Sequence, residues 1–106
     1  MTMADRNLTR PDELSQGLSF YRSPEGELFC EDIPLRDLAR RFGTPLYVYS
    51  RAGIAERLEA YEKAFGEEPH QVCYAVKAAS TRGILELVAR QGAGFDCVSG
   101  GEILRV

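Results

Sequence analysis

Three strand-like runs, centred near Tyr47, Tyr74 and Cys97, recur 27 and 23 residues apart, and the intervals between them carry apolar residues at helical spacing. That is the length of a β-α unit, and strands alternating with helices call for right-handed crossovers and a parallel sheet. Pro45-Leu46-Tyr47-Val48-Tyr49 reads as the first strand, with Ser50 as candidate N-cap for the helix after it. That helix places Ile54, Leu58, Tyr61 and Phe65 on one stripe and a Glu59–Lys63 pair on the other, and Gly66 ends it. Val72-Cys73-Tyr74-Ala75-Val76 then leads into Lys77. An unbroken apolar run suits a strand covered on both faces, and the carboxyl end of such a strand is where parallel α/β folds keep their chemistry. The next helix turns Ile84, Leu87 and Val88 inward and Glu86 and Arg90 outward, with Gly92 closing it. Phe95-Asp96-Cys97-Val98 forms a third strand, and Ser99-Gly100-Gly101-Glu102 opens a further helix. The tyrosines at 47, 49, 61 and 74 read as core at these spacings.

A different pattern precedes the alternation. Residues 1–16 are short of aromatic and β-branched side chains and read as a flexible, solvated tail. Leu18-Ser19-Phe20-Tyr21 and Glu27-Leu28-Phe29-Cys30 flank Ser23-Pro24-Glu25-Gly26, a β-hairpin with a Pro-x-Gly turn. Leu35, Leu38, Ala39 and Phe42 form one face of a short helix, opened by Asp32 or Pro34 and closed by Gly43. Three parallel strands cannot hide their faces and edges alone, and a (β/α)8 barrel takes about 250 residues. The expectation is therefore the front portion of a larger α/β protein. Residues 17–43 would contribute a hairpin and short helix to a separate β-domain, and residues 44–106 would form the first β/α units of an incomplete barrel.

Composition excludes several classes. Thirteen Lys+Arg against sixteen Asp+Glu give a net charge of -3 without a basic block, so the footprint of a nucleic-acid binder is missing. No apolar run approaches the roughly 20 residues that span a bilayer, and the polar start lacks the core of a secretory signal. Cys30, Cys73 and Cys97 make no C-x-x-C pair and no metal-ligand spacing. The two inside strand-like runs read as small buried hydrophobes, consistent with a reducing, cytoplasmic setting.

With these pieces placed, the sequence resembles the fold-type III pyridoxal-phosphate decarboxylases, and within them the branch that acts on diaminopimelate. Gly43-Thr44-Pro45-Leu46-Tyr47-Val48-Tyr49 looks like the family's opening strand, and Tyr74-Ala75-Val76-Lys77-Ala78 like its cofactor-lysine strand. Gly92-Ala93-Gly94-Phe95-Asp96-Cys97-Val98-Ser99-Gly100-Gly101-Glu102 looks like the strand and turn that follow. The likeness implies an alanine-racemase-like (β/α)8 barrel binding pyridoxal 5'-phosphate, a β-domain that takes its first strands from the N-terminus, and a homodimer with active sites at the subunit interface. It also implies decarboxylation of meso-diaminopimelate to L-lysine. Related activities on ornithine, arginine or carboxynorspermidine, a non-catalytic pyridoxal-phosphate-binding paralogue, and an unrelated flavodoxin-like module stand beside it.

The resemblance assigns Lys77 as the residue that bonds the cofactor and then shuttles protons, with Ala75 and Asp96 lining the cofactor site. Bond formation needs a neutral amine, whereas a lysine side chain at its reference value of about 10.4 is charged at pH 7. Burial at a strand end would favour the uncharged form. Asp96 is either a partner to Lys77 and the cofactor or a carboxylate satisfied at the strand end. Ser99-x-x-Glu102 is a capping box, and the resemblance also sets Glu102 near the cofactor lysine. Gly100-Gly101 is assigned no phosphate role, and His70 reads as a loop residue. Ala79 stands where the family commonly has asparagine, which bears on how the loop after Lys77 is anchored.

Overall fold

The computed structural model describes residues 19–106, so the tail expected over residues 1–16 lies outside the described residues. The chain divides into two compact units, Met1–Gly53 and Ile54–Val106.

In the first unit, β1 (Phe20–Arg22), β2 (Leu28–Cys30) and β3 (Ile33–Pro34) form an antiparallel sheet in that order. The register sets Phe20 opposite Cys30, Tyr21 opposite Phe29 and Arg22 opposite Leu28. The turn between β1 and β2 follows from its residues. Pro24 supplies the fixed φ of a turn's second position, Gly26 donates its N–H to the Ser23 carbonyl at 2.9 Å, and Gly26 itself takes φ 87°. Tyr21 and Phe29 stack across the ladder with ring centroids 5.2 Å apart, a cross-strand pair of the kind that stabilises two-stranded ribbons.

The helix α1 (Leu35–Phe42) starts directly after Pro34 and ends at Gly43, whose φ of 81° lets its N–H return to the Ala39 carbonyl at 2.8 Å. Leu35, Leu38 and Ala39 are half-buried, as the periodicity predicts, but Phe42 at the end of the stripe is exposed. The strand expected over residues 45–49 joins no ladder among the described residues. A strand exists only against a partner, and without one Tyr47 is 88% exposed and Tyr49 half exposed, so neither is core. Leu46, Val48 and Tyr49, with Ile33, Leu38 and Phe42, line an open, mostly apolar cavity of about 400 Å3.

Glu31 closes the corner between β2 and β3 at φ 54°, a left-handed conformation unusual for a side chain of its length. Its carboxylate accepts hydrogen bonds from the Ser50 hydroxyl (2.8 Å) and the Ala52 N–H (2.9 Å), while Ser50 accepts from the Gly53 N–H at 2.9 Å. Ser50 is therefore the predicted N-cap, and Glu31 adds a negative charge where a helix start favours one. The Ala52 amide, then the Ser50 hydroxyl, hold the Glu31 carboxyl below its ordinary range. The resulting stability is present above the unfolded value near about 4.3 and lost as pH falls through the lower folded value. Glu31→Gln should cost about 1 kcal/mol at pH 7 and flatten the acid limb of a urea-denaturation series; an unchanged limb would show that the carboxylate does not hold this corner.

The second unit is a β-α-β arrangement. The helix α2 (Arg51–Phe65), whose first residues belong to the first unit, is followed by β4 (Cys73–Ala75), a single 3-10 turn (Val76–Ala78) and α3 (Arg82–Arg90). Then come β5 (Gly94–Asp96) and α4 (Gly100–Arg105). Strands β4 and β5 pair in parallel, Cys73 with Gly94, Tyr74 with Phe95 and Ala75 with Asp96. The core is Val76 with Ile84, Leu85, Leu87 and Val88 of α3; Val76 and Val88 are 0% exposed. The inward face predicted for α3 is thus observed, with Leu85 added. The stripe of α2 is not core: Tyr61 and Phe65 are exposed. Glu59 and Lys63 pair at 2.8 Å as the spacing predicts, whereas Glu86 pairs with Arg82 at 2.8 Å. Of the cysteines, Cys30 alone is buried; Cys73, on β4, is exposed, and Cys97, half-buried, lies just past the end of β5, which stops at Asp96 rather than running to Val98 as expected.

His70 is more than a loop residue. It stacks on Phe65 at 4.7 Å, its Nδ1 lies 2.6 Å from the Glu68 carbonyl oxygen and its Nε2 lies 2.6 Å from the Glu62 carboxylate. A neutral imidazole has one N–H, so both acceptors are served only by the protonated ring. The Glu68 carbonyl first, and Glu62 second, raise its pKa above the ordinary histidine value. The contribution is complete below the unfolded value of about 6.5 and disappears as pH rises through the higher folded value. Chemical denaturation followed between pH 6 and pH 9 should show that decline, and His70→Gln should abolish it; a decline that persists in the variant would assign it elsewhere.

Candidate functional site

The parallel ladder places two carboxyl-terminal strand ends side by side, at Ala75 and Asp96. Lys77 lies two residues beyond the end of β4, within the 3-10 turn, rather than on the strand itself. Val76 explains the offset: its side chain is fully buried, so the residue after it is turned outward at the strand's edge. Lys77 is exposed, and among the described residues its amine has no hydrogen-bond or ion-pair partner. The desolvation expected of a strand-end lysine is therefore not supplied by the described elements.

Ala75 is half-buried beside this turn, and Ala78 and Ala79 carry only methyl groups, so no bulky side chain crowds the amine along its own segment. Asp96 is the last residue of β5, in register with Ala75, and is exposed rather than mid-strand and enclosed. Exposure removes the need for a partner, and it leaves the carboxylate available at the same edge as Lys77. An accessible, unpaired primary amine among small residues fits covalent attachment of an aldehyde cofactor.

The loop after Lys77 is fixed by two hydrogen bonds that sequence spacing does not disclose. The Tyr74 hydroxyl donates to the Ala79 carbonyl at 2.8 Å, and Arg105 Nε donates to the Ser80 carbonyl at 2.7 Å. Ser99 caps α4 by accepting from the Glu102 N–H at 3.2 Å, and Glu102 reaches back to the Val98 N–H at 2.6 Å, one residue earlier than a capping box would have it. Glu102 is thus occupied with its own helix start. Burial, then Glu102 and Asp96, raise the Cys97 thiol, which leaves it protonated and a poor nucleophile at neutral pH. No group of three His, Cys, Asp or Glu side chains among the described residues could hold a metal ion.

The second unit is thus a parallel α/β module with Lys77 just beyond the carboxyl end of one of its strands. The family model of the pyridoxal-dependent decarboxylase, pyridoxal binding domain, matches residues 51–106, and the chain belongs to that family. It is 47% identical over 89 residues to a diaminopimelate decarboxylase of Haemophilus influenzae, covering 84% of this chain and 21% of that protein. Diaminopimelate decarboxylase from Pseudomonas fluorescens is 56% identical over 81 residues, covering 76% and 20%. The crystal structure of diaminopimelate decarboxylase from M. jannaschii superposes with a TM-score of 0.75 at 36% identity, covering 82% of this chain and 21% of that one. The chain thus spans about a fifth of the length of the relatives it matches.

Val76 anchors the turn that carries Lys77, so Val76→Ala should lower unfolding free energy by about 2 kcal/mol and broaden amide exchange around residue 77. A stability equal to that of the unaltered protein would mean that the side chain does not hold the turn.

Proposed function

We propose that this chain is the amino-terminal part of a pyridoxal-phosphate-dependent decarboxylase that converts meso-diaminopimelate to L-lysine. The reading rests on one observation above the others: in a chain matching that family, the exposed Lys77, unpaired among the described residues, follows the first of two parallel strands at their carboxyl edge. Residues 17–43 would belong to a β-domain and residues 44–106 to the opening β/α units of a (β/α)8 barrel, with residues 1–16 a flexible tail. The assembly would be a cytoplasmic homodimer; no helix among the described residues is long and apolar enough to cross a membrane.

Pyridoxal phosphate, when bound, supplies the electron sink for the carbanion left when carbon dioxide departs. Lys77 would hold it covalently through its amine, release it when the substrate amine takes that place, and then carry a proton at Nζ. Ala75 would give the cofactor room against the strand, and Asp96 would line the cofactor site from the neighbouring strand end. The remaining barrel loops would enclose Lys77 and remove it from water, which an amine needs to react in its neutral form.

In the complete protein, incubation with pyridoxal phosphate followed by borohydride should leave one stable label, on Lys77, and Lys77→Ala should leave none and reduce decarboxylation by at least about a thousandfold. Carbon dioxide release from diaminopimelate should far exceed that from ornithine or arginine. Labelling at another lysine sinks the assignment; preference for ornithine sinks the substrate.

A further inference from the structure

We propose that Tyr74 and Arg105 are positioning residues for Lys77, acting as a two-point clamp on the carbonyl groups of Ala79 and Ser80. The inference rests on the reading of Lys77 as the cofactor-bearing residue. Lys77 stands on a single 3-10 turn, an element with poor hydrogen-bond geometry that holds its own shape weakly. Upstream, the turn is fixed by the β4 ladder and by the fully buried Val76. Downstream it has nothing of that kind. Ala78 and Ala79 have no side chain that can hydrogen-bond, and α3 begins only at Arg82.

The two carbonyls immediately beyond the turn are the points at which the rest of the unit takes hold. Tyr74, on β4, reaches forward five residues to Ala79 in a partly buried bond of 2.8 Å. Arg105, on α4, reaches back 25 residues to Ser80 in an exposed bond of 2.7 Å. One donor comes from the strand before Lys77 and the other from the helix after β5. Release of either frees the downstream flank, and the amine then samples more positions before it meets the cofactor. Catalytic geometry is sensitive to displacements of about 1 Å, so a disordered flank appears as a slower bond-forming step. The partly buried phenol bond carries the larger share, because its loss also leaves a carbonyl with less access to water.

Tyr74→Phe removes the hydroxyl and keeps the ring; Arg105→Ala and Arg105→Lys test the second point on the surface, where folding is not in question. In the complete protein two readouts separate positioning from general stability. Peptide-resolved hydrogen exchange in the cofactor-free protein should quicken over residues 76–80, by about five-fold in Tyr74→Phe and about two-fold in Arg105→Ala, with the β5 amides unchanged. The rate at which pyridoxal phosphate forms a borohydride-stable label on Lys77 should fall by the same factors, and Arg105→Lys should recover most of the loss. Unchanged exchange and labelling in both variants overturns the clamp and leaves the role of Lys77 intact. Faster exchange at an unchanged labelling rate overturns it too, since the two bonds would then serve structure alone. No label on Lys77 in the unaltered protein overturns the functional reading and the clamp with it.

Discussion

Everything Lys77 can do depends on three pairs of residues. The parallel ladder of β4 and β5 is only that long, and a pairing so short is not stable by itself. The buried apolar side chains of the second unit are Val76, directly after β4, and Ile84, Leu85, Leu87 and Val88 of α3. Val76 therefore has two consequences. It buries the first position of the turn after β4, and the residue that follows it is exposed at the strands' carboxyl edge. The position of the amine is a by-product of where the hydrophobic core needed a valine.

How much of this was legible from the residues depends on the range of the interaction concerned. Local signals read well: the glycines at 43, 66 and 92 take positive φ where the periodicity ends, Ser50 and Ser99 cap the helices that follow them, and Pro24 and Gly26 make the turn they promise. Each of these is decided within about four residues. The strand at 45–49 misread because β-propensity describes a residue's fit to a sheet and does not supply the partner. The tyrosines at 47, 49 and 61 misread for the same reason, since periodicity identifies an apolar face but not what covers it. Contacts across 19 to 25 residues, such as Ser50 to Glu31 and Arg105 to Ser80, left no trace in spacing at all. Lys77, by contrast, was found through motif likeness, and position alone would have left it an ordinary solvated lysine.

The uncovered surfaces agree with the chain's place among its relatives. Tyr47, Tyr61, Phe65, Ile103 and Leu104 are all exposed, and Leu104 is 89% so, on elements whose patterns call for cover. Large apolar patches on a soluble protein mark surfaces that other structure occupies. The chain spans about a fifth of the length of the relatives it matches.

This separates two requirements that a cofactor lysine must meet. Geometry is local: the ladder, Val76, Tyr74 and Arg105 all lie within residues 73–105, and together they constrain the turn from both sides. Desolvation is not local, because Lys77 is exposed and the neighbouring Asp96 is exposed with it. An amine held in place but still in water lacks the enclosure that favours a reactive amine. The opposite order, an enclosed amine without a fixed turn, would be no better, because enclosure does not aim Nζ. On the proposed reading, the β-α-β unit supplies the positioning and the enclosure would have to come from elsewhere in the complete protein.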